Sequence, residues 1–356
     1  MVIYHGITVG TILTGGNAMI EVKNLVKNYG PNTAVKDVSF TINDGEIVGF
    51  LGPNGAGKST TMNIITGYLS ATSGSVEING YDILEQPDRA KRHIGYLPEQ
   101  PPLFLDMTVK EYLNFVYDLK KTKLPRAPHL AEIVKLVKIE HVYNRLIRNL
   151  SKGYKQRVGI AQALVGNPDV LILDEPTVGL DPQQIIEIRN LISQLGRSHT
   201  VILSSHILSE IQAVCERIII INQGYQIADD TAAGLSEKLS DDHSIMVRMI
   251  APPRDAKAML ESIPGVNSVQ VTGSHGNATE FKVDPTAVEE VTREIAARAL
   301  NRNWLIIGLR TNELTLEDIY IRMVNEDPAK LNIHATKEEE ISVEISVDDE
   351  QEKDGE

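Results

Sequence analysis

A glycine-rich octapeptide constrains this chain more than any other feature of its sequence. Residues 52–59 read Gly-Pro-Asn-Gly-Ala-Gly-Lys-Ser and match the pattern G-x-x-x-x-G-K-[ST]. An apolar run at Ile47–Leu51 precedes the octapeptide, and a helical pattern from Lys58 to about Thr66 follows it. The order of strand, glycine-rich turn and helix is typical of a loop that wraps a chain of phosphates. The alternative, a glycine-rich turn that binds nothing, is less favoured. We therefore expect a nucleotide-binding α/β domain.

The residues of this loop have distinct predicted roles. Lys58 is expected to hold the β- and γ-phosphates of a nucleotide, and Ser59 is expected to place its hydroxyl on Mg²⁺. The rest of the loop and the first helical turn are expected to contact the nucleotide: Gly52, Pro53, Asn54, Gly55, Ala56, Gly57 and Thr60. A nucleotide and Mg²⁺ are thus the predicted ligands.

A second apolar run ends in two adjacent carboxylates. The run Val170–Leu173 is followed directly by Asp174 and Glu175. An Asp at the carboxyl end of a buried strand beside a phosphate loop is where Mg²⁺ is held. The second carboxylate can orient or polarise a water molecule for attack on the γ-phosphate. We predict Asp174 as a metal ligand and Glu175 as a catalytic residue.

The apolar patterns divide the chain into regions of different architecture. Up to about residue 235 the later strands, such as Thr200–Leu203, are continuous apolar runs, which indicates a parallel sheet covered on both faces. The segment 108–165 is mostly helical and begins with a capping box, Thr108 and Glu111. Beyond about Ala233 the order becomes β-α-β-β-α-β, which is ferredoxin-like. A last amphipathic helix is expected at Leu316–Asn325.

These patterns predict four regions. They are an N-terminal extension at 1–18, an ATP-binding domain at 19–235, a ferredoxin-like accessory domain at 240–330 and an acidic tail at 331–356. Residues 337–356 contain ten Asp or Glu and two Lys, a net charge of −8, and too few large apolar residues to fold alone. Residues 1–18 contain no Lys or Arg, unlike the start of a secretory signal, and are expected to have no function. The alternative for them is a short membrane-surface contact.

Five further positions make residues 20–230 resemble the ATP-binding-cassette (ABC) ATPases. The octapeptide at 150–157, Leu-Ser-Lys-Gly-Tyr-Lys-Gln-Arg, lies where that family has its signature motif. Gln100 lies at the family's Q-loop glutamine, and His206 at its switch histidine. Asp181 lies in the family's D-loop, and Tyr29 at the aromatic residue that stacks on adenine. The resemblance implies an α/β P-loop NTPase core with an antiparallel β subdomain and a helical insertion.

The same resemblance implies a division of labour between two protomers. Ser151, at the start of the signature helix, and Gly153 would meet the γ-phosphate bound by a second copy or by a related ATPase subunit. His206 would bond the γ-phosphate, and Gln100 would sense Mg²⁺ and the attacking water. The signature has Lys152 and Tyr154 where the family usually has Gly and Gln. Such a variant is familiar in the exporter branch that includes gliding-motility, drug-efflux and bacteriocin-export ATPases.

The resemblance therefore implies an ATPase subunit of an exporter, held at the inner face of the cell membrane by integral membrane permease subunits. The alternatives are an importer ATPase, an ABC ATPase of DNA repair or ribosomes, and a non-catalytic nucleotide-binding module. An importer would normally carry small C-terminal β-barrels, and a DNA-repair protein a long coiled coil between Gly52 and Asp174. A ribosomal type usually has two cassettes in one chain. Glu175 and His206 argue against a non-catalytic module.

Composition limits the partners further. The net charge is 35 − 48 = −13, which opposes general binding to nucleic acid, and no nucleic-acid partner is expected. No stretch approaches the roughly 18 consecutive apolar residues of a membrane-spanning helix. The single cysteine, Cys215, excludes an internal disulfide and fits a reducing cytosol. The apolar residues 103–105 after a pair of prolines indicate either a partner-docking edge or a segment packed into the helical subdomain.

Overall fold

The computed structural model describes residues 18–239, 244–311 and 315–328. The chain divides into two units, one with the described residues up to Ala232 and from Met323 onward, the other spanning Ala233–Arg322. Apart from Ala18, the expected extension lies outside the described residues, as does the expected acidic tail.

The strands of the first unit are β1 (Ala18–Tyr29), β2 (Asn32–Asn43), β3 (Ile47–Leu51), β4 (Ser73–Ile78), β5 (Tyr81–Asp82), β6 (Ile94–Leu97), β7 (Val170–Asp174), β8 (Thr200–Ser205), β9 (Arg217–Asn222) and β10 (Tyr225–Thr231). Its helices are α1 (Lys58–Ile65), α2 (Pro87–Ala90), α3 (Val109–Leu119), α4 (Arg126–Leu136), α5 (Lys152–Leu164), α6 (Pro182–Leu195) and α7 (Leu208–Gln212). Helix α8 (Ala232–Leu239) begins at the boundary between the units.

Two sheets build the first unit within the described residues. One has the order β2-β1-β4-β5 and is antiparallel throughout. The other has the order β10-β9-β3-β8-β7-β6, and every pair in it is parallel except β10 with β9. The predicted P-loop core with an antiparallel β subdomain is therefore confirmed. Strand β10 was not predicted, because its residues are mainly polar and a two-residue turn, Gln223–Gly224, joins it to β9.

The two sheets share one hydrophobic core. Fully buried side chains of the antiparallel sheet, such as Ile20 and Ile78, belong to the same cluster as Phe50 of β3 and Ile172 of β7. Helix α1 contributes Met62 to this cluster. The loop between β3 and α1 is thus held between elements whose apolar faces are buried in a common core.

The predicted helical insertion lies between β6 and β7. Its helix α3 begins with the expected capping box, in which the Thr108 hydroxyl accepts from the Glu111 N–H and the Glu111 carboxylate accepts from the Thr108 N–H. Helix α5 packs against β6 through Gly95, where an added Cβ would overlap the carbonyl oxygen of Ala163. This close approach fixes the signature helix against the parallel sheet.

The second unit has the predicted ferredoxin-like topology. Its elements are β11 (Ile245–Ile250), α9 (Pro253–Glu261), β12 (Val266–His275), β13 (Ala278–Pro285), α10 (Val288–Asn301) and β14 (Leu305–Thr311). Helix α11 (Leu316–Asn325) begins in this unit and crosses the boundary at Met323. The sheet order is β12-β13-β11-β14, antiparallel throughout, around a core that includes Phe281 and Ile295. The turn is shorter than the expected Gly273–Asn277, because Gly273 still pairs with Glu280.

Two further features of the described residues bear on the sequence predictions. Helix α11 is capped as expected, since the Asp318 carboxylate accepts from the Thr315 N–H at 3.1 Å and the Asp318 N–H donates to the Thr315 hydroxyl at 3.2 Å. No helix within the described ranges combines the length and the apolar character needed to cross a membrane.

The contact between α5 and β6 yields a stability prediction. Gly95→Ala should lower the free energy of unfolding by about 1–3 kcal/mol, because its Cβ meets a backbone oxygen that cannot turn away. Gly308→Ala in β14 is a matched control, because the added Cβ would lie 3.9 Å from the Arg248 Cβ, an ordinary van der Waals distance. Urea denaturation of both variants measures the difference, and equal midpoints would contradict the packing argument.

Candidate functional site

The phosphate loop runs from the end of β3 to the start of α1. Gly57 has φ of 108°, and an added Cβ would lie 2.6 Å from the Ala34 carbonyl oxygen, so a larger residue does not fit there. No side chain caps the N-terminus of α1. The first N–H groups of the helix therefore face the loop without a side-chain acceptor, which is the arrangement that binds anions.

The Lys58 side chain folds back over the loop. Its ammonium donates to the carbonyl oxygens of Gly52 at 2.7 Å and Pro53 at 3.3 Å, and the residue is 5% exposed. The loop thus already surrounds a positive charge in its own centre. A phosphate chain that enters the loop can exchange these neutral carbonyl partners for charged oxygens, which form stronger hydrogen bonds with an ammonium.

A cavity of about 390 Å³ lies over the loop. It is lined by Ala34, Pro53, Asn54, Gly55, Gly57, Lys58, Ser59, Thr60, Glu99, Glu175, Val178 and His206. Gly52 and Ala56 do not line the cavity and instead contact the end of β9 and the turn that follows it. Gly52 approaches the backbone of Ile221, and the Ala56 carbonyl accepts from the Gly224 N–H at 2.9 Å. The structure therefore brings most of the predicted phosphate-loop residues to one cavity, together with Glu175 and His206.

The Glu175 carboxylate lies between two groups that can bear positive charge. His206 Nδ1 is 3.0 Å from Oε1 and 2.9 Å from Oε2, and Lys58 Nζ is 3.5 Å from Oε1. Glu175 is 6% exposed and has φ of 48°, a left-handed conformation that is uncommon for this residue type. Its N–H donates to the Ser204 carbonyl at 3.0 Å. A nearly buried carboxylate fixed in this way can orient a water molecule at the phosphate loop.

Asp174 is the last residue of β7 and is 1% exposed. Its Oδ1 has no hydrogen-bond partner, although a buried unsatisfied acceptor costs free energy. Burial raises the pKa of nearby Tyr96, and the negative charge of Asp174 raises it further, so the Tyr96 hydroxyl stays protonated. The unpartnered oxygen, together with the Ser59 hydroxyl that lines the cavity, fits the donor set expected for Mg²⁺.

Gln100, predicted as a catalytic residue and metal ligand, does not line this cavity. The preceding residue, Glu99, lines it instead, and both residues are exposed on the segment that follows β6. Two adjacent polar residues in an irregular segment carry no periodicity, so the pattern could not distinguish them. The sequence interpretation missed Glu99 and two apolar residues of the lining, Ala34 and Val178.

Tyr29, the expected adenine-stacking residue, ends strand β1 and is 48% exposed. It does not line the cavity over the phosphate loop, but β2, which pairs with β1, contributes Ala34 to that cavity. The Lys27 ammonium lies 5.4 Å from the centre of the Tyr29 ring. The ring is therefore accessible at the hairpin beside the site.

The other three predicted nucleotide contacts line a second cavity, of about 420 Å³. Ser151 caps α5 by accepting from the Tyr154 N–H at 3.4 Å, and Asp181 caps α6 by accepting from the Gln184 N–H at 2.9 Å. Gly153 lies so close to Gln184 that an added Cβ would collide with the amide. Two helix N-termini thus border one cavity, whose lining shares no residue with that of the phosphate-loop cavity.

The apolar segment 103–105 lies on the surface of the helical insertion. Phe104 and Leu105 are 50% and 49% exposed. The Phe104 ring also contacts the rings of Tyr112 and Phe115 edge-on, with centroid distances of 6.1 and 5.3 Å. The segment therefore packs on α3 and also presents apolar surface.

Comparisons with known proteins agree with this arrangement. A family model described as ABC transporter matches residues 35–178. The linearmycin resistance ATP-binding protein LnrL of Bacillus subtilis (strain 168) is 34% identical over 311 residues, which are 86% of this chain and 98% of that protein. The lipopolysaccharide export system ATP-binding protein LptB of Escherichia coli (strain K12) is 39% identical over 231 residues, 64% of this chain and 95% of that protein.

A solved structure shares the fold of part of this chain. The dimeric post-hydrolysis state of the ATP-binding cassette MJ0796, bound to ADP and Pi, superposes with a TM-score of 0.55 and is 29% identical. The match covers 60% of this chain and 98% of that chain.

The position of Glu99 yields a prediction that distinguishes it from its neighbour. Glu99→Ala should lower Mg²⁺-dependent ATP turnover by about tenfold or more, about 1.4 kcal/mol of barrier, because it removes a carboxylate from the cavity wall. Gln100→Ala is the matched control and should leave turnover within about twofold. Steady-state phosphate release measures both, and the reverse ranking would restore Gln100 as the functional residue.

Proposed function

The chain belongs to the family of ABC transporter ATP-binding proteins, and from this premise we propose that it powers an exporter through separate integral membrane permease subunits. It is an ATPase subunit of a transporter. The observation that supports the ATPase part of the proposal is the cavity lined both by phosphate-loop residues and by the buried carboxylate of Glu175.

The names of the relatives support export as the direction. LptB is named for lipopolysaccharide export, and LnrL is named for resistance to linearmycin. The LnrL match covers 86% of this chain and so extends beyond the cassette. The second unit is a ferredoxin-like fold with the sheet order β12-β13-β11-β14, whereas an importer ATPase would normally carry small β-barrels at this position.

In the proposed binding step, the phosphates of ATP enter the loop between β3 and α1. Lys58 releases the carbonyl oxygens of Gly52 and Pro53 and binds the β- and γ-phosphates. The N–H groups at the start of α1 bind the phosphate oxygens, and the Tyr29 ring stacks on adenine. The low exposure of Lys58 supports a strong interaction, since water competes little for its charge.

In the proposed chemical step, Glu175 orients the attacking water and accepts its proton, while His206 bonds the γ-phosphate. Their contact of 2.9–3.0 Å supports the joint role. Mg²⁺, when bound, neutralises the charge that develops on the β- and γ-phosphates. Asp174 and Ser59 are the residues that would hold it, and Glu99 borders the same space.

We further propose that two cassettes sandwich ATP, as a homodimer or as a pair with a related ATPase subunit. The second cavity, with Ser151, Gly153 and Asp181, would then receive the γ-phosphate side of the nucleotide held by the partner. Its two bordering helix N-termini suit a negative charge. The permease subunits would hold the dimer at the inner face of the cell membrane. The net charge of −13 supports the expectation that nucleic acid is not a partner.

The catalytic role of Glu175 is tested with Glu175→Gln. This change keeps the size of the side chain and leaves the phosphate loop intact, but it removes the charge and the proton-accepting ability. ATP should still bind, and turnover should fall by at least about a hundredfold, about 2.7 kcal/mol of barrier. Because the γ-phosphate remains uncleaved, the variant should form an ATP-dependent dimer in gel filtration.

The matched control for this experiment is Glu132→Gln, which changes an exposed glutamate of α4 in the same way. It should behave like the unchanged protein in turnover and in gel filtration. Near-normal turnover in Glu175→Gln would assign the water to another residue. A monomer with bound ATP would argue against the two-protomer mechanism for the isolated subunit.

The direction of transport is tested in cells that carry the chain with its permease subunits. Export predicts that Glu175→Gln makes a transported compound accumulate in the cells and fall in the medium, relative to Glu132→Gln. Mass spectrometry of both fractions gives the distribution. Accumulation in the medium with depletion in the cells would establish import and overturn the exporter proposal.

A further inference from the structure

A buried carboxylate outside the phosphate cavity connects the two loops that carry the catalytic pair. Glu210 lies on α7, four residues after His206, and is 4% exposed. One of its oxygens, Oε2, accepts from the Thr177 hydroxyl at 2.6 Å and from the Ser205 hydroxyl at 2.9 Å. In the described part of the chain both of its hydrogen-bond partners are hydroxyls, and no cation pairs with it.

A carboxylate is a costly residue for this position. Burial of an ionised group without a cation costs free energy, which two hydroxyl hydrogen bonds only partly offset. Asp174 and Glu175 already place two buried carboxylates at the end of the neighbouring strand β7. Stability alone therefore favours an apolar residue over Glu210, so the presence of a buried acceptor here indicates a role other than stability.

The positions of the two donors indicate what that role is. Thr177 lies two residues after Glu175, and Ser205 lies directly before His206. The single Glu210 oxygen therefore joins the loop after β7 to the last residue of β8, directly before His206. The contact between Glu175 and His206 connects the same two segments.

The direction of each bond matters for the Ser205 hydroxyl. Both hydroxyls donate, and the Glu210 carboxylate accepts. The Ser205 oxygen then keeps a lone pair for the Ile207 N–H, which donates to it at 3.1 Å. The backbone is thus held on both sides of His206, at Ser205 and at Ile207.

We propose that Glu210 is a positioning residue for ATP hydrolysis, which holds the Glu175 and His206 loops at the separation that catalysis requires. This inference rests on the proposed roles of Glu175 and His206. Glu210 acts through Thr177 and Ser205 and touches neither the substrate nor the attacking water.

Glu210→Ala tests the proposal. It removes the shared acceptor, so kcat should fall by about tenfold to a hundredfold, the scale of a small misplacement of catalytic groups. The affinity for ATP should stay within about threefold, because Lys58 and the phosphate loop are unchanged. With binding intact and hydrolysis slow, the ATP-dependent dimer should persist longer in gel filtration than that of the unchanged chain.

Glu210→Gln is the matched variant. Both hydroxyls donate to one oxygen, and the amide oxygen of glutamine can take that place, so most of kcat should return. If Glu210 had only a structural role, Glu210→Ala would change the melting temperature and the ATP affinity together with kcat. Glu210→Gln would then not restore kcat alone. Thr177→Val and Ser205→Ala each remove one hydrogen-bond donor. Combining Thr177→Val with Glu210→Ala should lower kcat little further than Glu210→Ala alone.

Several results would overturn the inference. Unchanged kcat in Glu210→Ala is one, and equal losses of kcat in Glu210→Ala and Glu210→Gln are another. If Glu210→Ala does not fold, unchanged kcat in both Thr177→Val and Ser205→Ala overturns it. Glu175→Gln and His206→Ala belong in the same assay, because normal turnover in those two variants would overturn the proposed function itself. If Glu175→Gln and His206→Ala lose turnover while Glu210→Ala keeps it, only the role of Glu210 is overturned.

Discussion

The contact of the Glu175 carboxylate with Lys58 and His206 is the interaction on which the arrangement of the site depends. These three residues come from the phosphate loop, the end of β7 and the end of β8, and they meet within 2.9–3.5 Å. They meet because β3, β8 and β7 are consecutive parallel strands, whose carboxyl ends lie at one edge of the sheet. The register pairs Leu51 with Ser205 and Asp174 with Ser204, so the three loops leave the sheet side by side.

The predictable part of this site is the part that regular structure supports. Continuous apolar runs identify β3 and β7. The residue types that follow these strands, Gly52 to Ser59 and Asp174–Glu175, are in that context typical of phosphate and metal binding. The β-α-β-β-α-β order of the second unit was predictable because it consists of regular strands and helices, such as the alternating strand β13 and the amphipathic helix α10.

The parts that could not be predicted depend on irregular backbone or on tertiary partners. Whether Glu99 or Gln100 faces the cavity depends on how the chain turns after β6, which no pattern of apolar residues encodes. Strand β10 has a polar sequence and becomes a strand because β9 offers it an edge. Glu210 resembles an ordinary charge on a short helix until the fold brings Thr177 and Ser205 to it.

The unusual signature residues are accommodated by contacts within the chain. The Lys152 side chain lies against Gly179, which has φ of 68° and leaves space for the ammonium because it has no Cβ. The Tyr154 hydroxyl lies 2.9 Å from His141 Nε2, and the two rings meet edge-on. Both residues thus make intramolecular contacts, and Tyr154 and His141 also line the second cavity. Gly153 has no such freedom, because the Gln184 side chain occupies the space that a Cβ would need. Steric constraint therefore favours glycine at position 153, whereas contacts within the chain accommodate the larger side chains of Lys152 and Tyr154.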